Sequence, residues 1–485
     1  MSIFRRHRRK LIAAGMLIGG PLLAHWTVLA TTGFSPPKVI TPAEPVTERD
    51  GVRFSGPAYS ALRGGVREVY LEGTPEQIGA RHARLLGDHM TADENALWGS
   101  FEHFVPLSPV RALIMDISRV RYRHIEDNVP DPRRRELAAA AQAFSPDPNA
   151  SHMPTYQRVV FLHSVYDISL SFEHSPLIGC SAFALGPGAT KDGHTIVGRA
   201  FDMEIGDVFD LDKVVDFVRE DGRIPYASVG WPGLSGVLTG MNLEGVMVLV
   251  NGARAGEPRT SGLPVVFSLR EVLQSAHDTD EAAAILAKQE VMVSHIVFVA
   301  DAKGRFAVVE RAPGHPAFVR RSFADDNRVG VTNHFEGDLK DDPKNIAVRE
   351  HTTTLPRRAR LDEMLSGVGP ASADVHSALA MLRDHQCAAT TGAACPLGDR
   401  RSIDALIATH GVIADTSDRV LWVSKGPHLS GDFVRFDLKA TFDPGHDPTR
   451  DPPPETMPAD PILADGRYEE GRKHAGGPKI GGDAK

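Results

Sequence analysis

The chain has 485 residues, 42% hydrophobic and 24% charged, ordinary proportions for a globular protein of one large domain or two smaller ones. Its formal net charge of −8 gives no reason to expect nucleic acid or an anionic membrane surface as a partner. The 21 histidines show no HExxH spacing and no pair of CxxC motifs occurs, so no metal is indicated and no cofactor is expected.

The N-terminus opens with the basic stretch MSIFRRHRRK, followed by the apolar run LIAAGMLIGGPLLAHWTVLATT. This is the pattern of a secretory signal or an uncleaved anchor, and Arg8-Arg9-Lys10 resembles the core of a twin-arginine signal. The run is long enough to cross a bilayer. Residues 1–32 therefore read as a signal peptide or membrane anchor, with residues 11–31 as the membrane segment, and the protein as exported, periplasmic or secreted. Proline-rich GFSPPKVITPAEPVTERDG extends this into a linker over 33–65.

REVYLEG reads as a strand and leads into TPEQIGARHARLLGDHM. There Thr74, Pro75 and Gln77 form an N-cap, a first-turn proline and a capping box. Helical character persists through RALIMDISRVRYRHIED, RRRELAAAAQAF and TYQRVVFLHSVYDISLSF, giving a helical N-terminal segment over 66–179. From Cys180 the texture changes to short apolar runs joined by turn residues. SAFALG and HTIVGRAF flank ATKDG, GVLTGMN and GVMVLVNGA flank LEG, and SHIVFVAD and RFAVVERA flank AKG. An alanine-rich helix, SLREVLQSAHDTDEAAAILAKQ, interrupts them, and a second helical block follows Asn333. Two late strands lie in IDALIATHGVIAD and RVLWVSKGP. Hairpins without regular βαβ alternation predict an α+β fold with antiparallel sheets and segregated helices over 180–440. The Pro- and Gly-rich tail over 441–485 reads as disordered.

Three cysteines occur. Cys387 and Cys395 lie close together in turn-rich DHQCAATTGAACPLGD and are positioned to pair, in a compartment where disulfides persist. Cys180 is left as the odd thiol. By cysteine arithmetic alone an inert buried residue is the ordinary reading.

The ordered set LEGTPEQIGARHARLL, GCSAFALGPGATKDGHTIVGRAFD, GMNLEGVMVLVNGA, VFVADAKGRFAVVE, VTNHF, LPRRARLDEML and RVLWVSKGP resembles the penicillin acyltransferase-like cysteine hydrolases of the N-terminal-nucleophile (Ntn) class, relatives of conjugated bile acid hydrolase. The resemblance spans about Tyr70 to Leu438. It implies a four-layer αββα sandwich with two antiparallel sheets, preceded by a helical pro-segment, and a precursor cut between Gly179 and Cys180. It places Arg199 and Asp202 beside the nucleophile, and Asn251 and Asn333 near it. Arg357 aligns best with an active-site arginine, though Arg358 and Arg360 stand in the same stretch. Ala200 and Met203 depart from the usual Asn and aromatic residue.

A free thiol, with a pKa near 8.5, is only a few per cent thiolate at neutral pH. Cutting before Cys180 would supply an α-amino base of pKa about 7.7–8.0 on the same residue. Arg199 would favour thiolate, Asp202 would accept a hydrogen bond from the new amine, and the asparagines would serve the oxyanion. Gly179 would let the attacking sulfur approach the bent bond. The substrate would be a small-molecule amide or acyl donor, cleaved or transferred through a thioester, with the processed chains staying associated. Two other readings stand beside this one. The first is an exported binding protein that keeps the fold without turnover, motivated by Ala200 and Met203. The second is a serine hydrolase using WPGLSGV, which lacks the G-x-S-x-G spacing.

Overall fold

The computed structural model describes residues 19–171, 178–203, 207–321, 323, 327–392 and 394–475. The basic N-terminus, residues 1–18, lies outside the described residues, as does the stretch 172–177 leading to Gly179. Among the described residues no helix is long and apolar enough to cross a membrane.

Two sheets form the centre. The first has eleven strands in the order β1-β2-β3-β4-β7-β8-β9-β10-β11-β12-β13. These are Thr47–Arg49, Val52–Ser55, Ala58–Arg63, Val66–Gly73, Val214–Glu220, Tyr226–Gly230, Thr239–Asn242, Met247–Gly252, His295–Ala300, Phe306–Arg311 and Phe318–Arg320. The second has seven, β14-β5-β6-β15-β16-β17-β18: Arg328–Val331, Ile178–Leu185, Ile196–Met203, Ala408–Asp415, Val420–Ser424, Phe433–Asp437 and Thr456–Met457. Among the described residues every strand pair is antiparallel except β4 with β7, as expected where hairpins dominate.

Three apolar clusters give the layers. Ala182, Val197, Phe217, Leu249, Phe298 and Val412 meet between the sheets. The other face of the first sheet, with Leu71, Val218 and Val299, packs under helices Pro75–Phe104, Asp131–Ala143, Thr155–His163, Val265–Ser275 and Thr279–Lys288. The other face of the second, with Phe183, Ile196 and Trp422, packs under Thr354–Ser366 and Val375–Leu382. The result is an αββα sandwich. Thr74 caps its helix through the capping box with Gln77, as its sequence pattern predicts.

Three expectations are corrected. The stretch read as a linker holds β1–β3, because Gly51, Gly56 and Gly64 turn the chain at positive φ between short strands. The alanine-rich helix is two helices, split where extended Asp278 caps the second by accepting from the backbone N–H groups of Asp280 and Glu281. The tail read as disordered is ordered through residue 475: Phe442, Met457, Ile462 and Tyr468 are buried, and β18 pairs with β17.

Candidate active site

Cys180 sits near the start of β5, opposite Phe201 of β6, and Gly179 lies opposite Asp202. Side chains alternate along a strand. Cys180, Arg199, Phe201 and Met203 therefore share one face, while Ser181, Ala200 and Asp202 share the other. Burial agrees: Cys180, Phe201 and Met203 join the apolar cluster of the first sheet's helices, and Ala200 joins the cluster under Thr354–Ser366. The thiol and the Asp202 carboxyl thus flank the Gly179–Cys180 peptide from opposite faces of one hairpin.

Arg199 Nη2 lies 3.4 Å from Cys180 Sγ. The guanidinium is fully buried. It donates to the Val250 carbonyl at 2.5 Å and to Asn251 Oδ1, and stands 4.9 Å from the centre of the Phe201 ring. Burial pushes the Cys180 thiol up, and the Arg199 charge offsets part of that. Asp202 is raised to about 7 by burial, against the lowering pull of Arg357.

On the opposite face, the Cys180 backbone N–H donates to Asn333 Oδ1 at 2.8 Å. Arg357 spans the same point, donating to the Cys180 carbonyl at 2.5 Å, Ser181 Oγ at 3.0 Å and Asn333 Oδ1 at 2.7 Å. Its position on the buried side of Thr354–Ser366 separates it from its neighbours. Arg358 pairs with Glu336 and Asp362, and Arg360 with Asp384 and Glu363. Of the three arginines, Arg357 is the one that reaches Cys180.

The two asparagines clamp the sheets together. Asn251 Nδ2 donates to the Thr332 carbonyl at 2.9 Å, and Asn333 Nδ2 to the Gly252 carbonyl at 2.8 Å. In the uncut chain both amides are thus engaged with backbone. Gly179 shows no special need for glycine: its φ is not in the left-handed region, and an added Cβ would make ordinary contacts at 3.7 Å to Asp202 Oδ2 and 3.8 Å to Arg357 Nη2. Cys387 and Cys395 are joined as a disulfide far along the chain from this site. His334 is buried, bonded to Thr354 Oγ1 at 2.9 Å, and lowered to about 4, chiefly by burial, which suits a structural histidine. Ser235 of WPGLSGV lies in the segment between β8 and β9, its backbone N–H bonded to His163 Nε2; no strand–elbow–helix surrounds it.

Thr354 escaped the sequence reading. Its hydroxyl accepts from the Asn333 backbone N–H at 2.9 Å and so fixes the asparagine that holds the Cys180 nitrogen. A threonine opening a helix carries no signal for that role. Also unread was a mostly apolar cavity of about 110 Å³, lined among others by Tyr166, Phe209, Trp231 and Met203, the last on the same strand face as Cys180. Met203 and Phe209 share the apolar cluster of Cys180, and the thiol acts electrostatically on the Tyr166 hydroxyl.

Helix, sheet, sheet and helix in this order, with a buried cysteine near the start of an inner-sheet strand, make up the αββα architecture that the resemblance to the Ntn class implies. Residues 189–392 match the family described as acyl-coenzyme A:6-aminopenicillanic acid acyl-transferase. Arg199, Asp202, Asn251, Asn333 and Arg357 fall inside the matched range, and Cys180 precedes it. An uncharacterized protein of Archaeoglobus fulgidus is 24% identical over 262 residues, 50% of this chain and 42% of that protein, so the chain spans under half of that relative's length. Among solved structures, the Caenorhabditis elegans ortholog of N-acylethanolamine-hydrolyzing acid amidase is similar at 18% identity and TM-score 0.35, covering 49% of this chain and 93% of that one. A mutant of conjugated bile acid hydrolase from Clostridium perfringens is similar at 13% and 0.36, covering 58% and 97%. Penicillin V acylase from Agrobacterium tumefaciens is similar at 15% and 0.35, covering 54% and 86%.

Proposed function

We propose that this protein is an autoprocessed cysteine amidohydrolase, or acyltransferase, with Cys180 as its nucleophile. The observation that carries this reading is the convergence of Arg199 on Sγ and of Asn333 and Arg357 on the backbone of the same residue. In the precursor, Sγ attacks the Gly179 carbonyl carbon. The Gly179–Cys180 C–N bond breaks, the nitrogen takes the thiol proton and becomes a free amine, and water then hydrolyses the thioester to a Gly179 carboxylate and the regenerated Cys180 thiol. That amine becomes the base for turnover. Asp202 accepts a hydrogen bond from its ammonium form, and Asn333 Oδ1, by accepting one N–H of the amine, keeps the amine lone pair turned toward sulfur.

In turnover the thiolate attacks the substrate carbonyl, the amine leaves with a proton from the Cys180 ammonium, and water releases the acid. An acceptor amine in place of water gives transfer. The second N–H hydrogen of Asn333, whose first holds Gly252, serves the oxyanion. The apolar cavity against Tyr166 and Met203 takes the acyl group. Ala200, which motivated an inert binding protein, faces away from the thiol, and Met203 lines the cavity, so neither departure removes a reacting group.

The protein is further proposed to be exported and held at a membrane by its N-terminal segment. Leu22, Leu23 and Trp26 on the helix over 19–31 are exposed, as are Leu113 and Ile117 on the adjoining helix Ser108–Arg121. His25 and Asp116 join the two helices at 2.8 Å.

N-terminal sequencing and intact mass test the central claim. Two fragments are expected, the second beginning Cys-Ser-Ala-Phe, with Cys180→Ala giving one uncut, inactive chain. Full activity from a chain continuous across Gly179 would overturn it.

A further inference from the structure

The cavity at Met203 is lined mostly by apolar side chains, and its ionisable lining groups are Asp93, Glu94 and His163, whose ring nitrogens bond the Val159 carbonyl and the Ser235 N–H. Asp93, on helix Pro75–Phe104, lines it. The residue is 4% exposed, and neither carboxylate oxygen has a hydrogen-bond partner. Its neighbour Glu94 lines the same cavity but is satisfied by Arg158 at 2.9 Å and Asn149 at 3.1 Å. Leaving a buried carboxyl unpaired destabilises a fold, and native proteins keep few such groups. An apolar residue at position 93 would fill the same wall without that penalty. The local field also has a sign: burial raises Asp93 to about 8, and the negative charge of Asp212 adds to the rise. Ionised, the carboxyl repels a ligand acceptor, and in either protonation state it has an oxygen that takes a donor.

We propose that Asp93 selects acyl groups whose apolar chain ends in a hydrogen-bond donor, an ammonium or a hydroxyl, seated with the carbonyl toward Cys180 and the donor against the Asp93 carboxyl. This rests on the reading of the cavity as the acyl pocket. Asp93 lies in the segment that precedes the cut, so the N-terminal fragment sets the acyl preference while the fragment starting at Cys180 supplies the nucleophile. A hydroxyl meets a neutral carboxyl, which both donates and accepts. An ammonium pulls the proton off the carboxyl and forms a charge-assisted bond.

The test measures binding rather than turnover. Hexanoate, 6-hydroxyhexanoate and 6-aminohexanoate, acids on the product side of the reaction, are titrated by calorimetry into wild type, Asp93→Leu and Asp93→Asn. At least one donor-bearing acid is expected to bind wild type about tenfold or more tighter than hexanoate, the ratio that one charged or charge-assisted hydrogen bond supports. Tightest binding of the amino acid marks the ion pair; tightest binding of the hydroxy acid marks the neutral carboxyl. Asp93→Leu is expected to bind all three alike, with an unchanged or raised melting temperature that shows it folded, while Asp93→Asn keeps a preference for the hydroxyl. Equal binding of the three acids by wild type, no binding of any, or a preference that survives in Asp93→Leu overturns the proposal. None of these readouts requires cleavage at Gly179, so an uncut active chain would remove the nucleophile reading and leave this measurement standing on its own.

Discussion

Arg357 holds three acceptors around one residue, the Cys180 carbonyl, Ser181 Oγ and Asn333 Oδ1. Only a planar fork of donors reaches all three; an ammonium is a single point of charge. Each charge-assisted bond is worth about 1.5–3 kcal/mol. Arg357→Lys is therefore expected to lower kcat/KM by roughly ten- to a hundred-fold in steady-state assays, about 1.4–2.7 kcal/mol. Arg358→Lys, whose partners Glu336 and Asp362 lie away from Cys180, should leave the rate unchanged. Asp202 makes a second residue-scale prediction. Its carboxyl, raised to about 7 in the folded protein from an ordinary 3.8, keeps a proton that the unfolded chain releases. The stabilisation from that retained proton is full below about pH 3.8 and is lost as pH rises toward 7. Compared within the uncut Cys180→Ala background, where no ammonium stands beside it, Asp202→Asn carries no such titration, so its stability relative to the Asp202 parent should climb between pH 4 and 7 in denaturant melts. A constant difference across that range would contradict the assignment.

Elements were legible where local pattern and tertiary demand agree. The hairpin from SAFALG to HTIVGRAF is β5 and β6, with Gly193 turning the loop at positive φ, and both strands alternate as a pleated surface requires. That hairpin carries Cys180, Arg199 and Asp202, so half of the candidate site could be ordered by sequence. The rest depends on contacts over long separations, such as Cys180 with Asn333 and Arg357, which only the family resemblance could supply. Where the readings failed, a local signal was outweighed by a louder one. Pro36, Pro37, Pro42 and Pro45 coloured the whole stretch to residue 65 as linker, hiding the short strands after Pro45. The alanines of EAAAILAK masked Asp278-Thr279-Asp280-Glu281, a helix-start signature in its own right. Asp278 accepts from two backbone N–H groups, each at 3.0 Å. Asp278→Ala is expected to lower unfolding free energy by about 1 kcal/mol, the usual worth of an N-cap, with kcat/KM unchanged because the cap stands apart from the site. Loss of activity at unchanged stability would show that the two helices do more than support the sheet.

The proposed cut before Cys180 would not by itself separate the two parts of the molecule. The chain before the cut contributes β1–β4 to the large sheet, and β4 pairs with β7 through seven consecutive positions from Arg67↔Val214 to Gly73↔Glu220. Helices Asp131–Ala143 and Val265–Ser275, one from each side of the cut, share a buried ion cluster. Arg133 bonds Glu136 and Glu220, and Arg270 bonds Glu136 at 2.8 Å and Glu220 at 3.0 Å. Burial alone would raise Glu220, but Arg270 and Arg133 outweigh it and hold the carboxyl below its ordinary range. A buried cluster of this kind adds little over apolar packing while it is complete, yet removing one member leaves uncompensated charge worth about 3–5 kcal/mol. Cleaved wild-type protein is therefore expected to elute as one species in native gel filtration and to part only in denaturant. Glu220→Gln leaves two buried arginines sharing the single carboxylate of Glu136, and should shift that separation to a clearly lower urea concentration. Glu271→Gln serves as the control, because its pair with Arg223 is solvent-exposed and such pairs are worth about 0–1 kcal/mol. If the two variants separate at the same urea concentration, the cluster is not what holds the fragments, and the β4–β7 ladder and the apolar core shared across the cut carry the association.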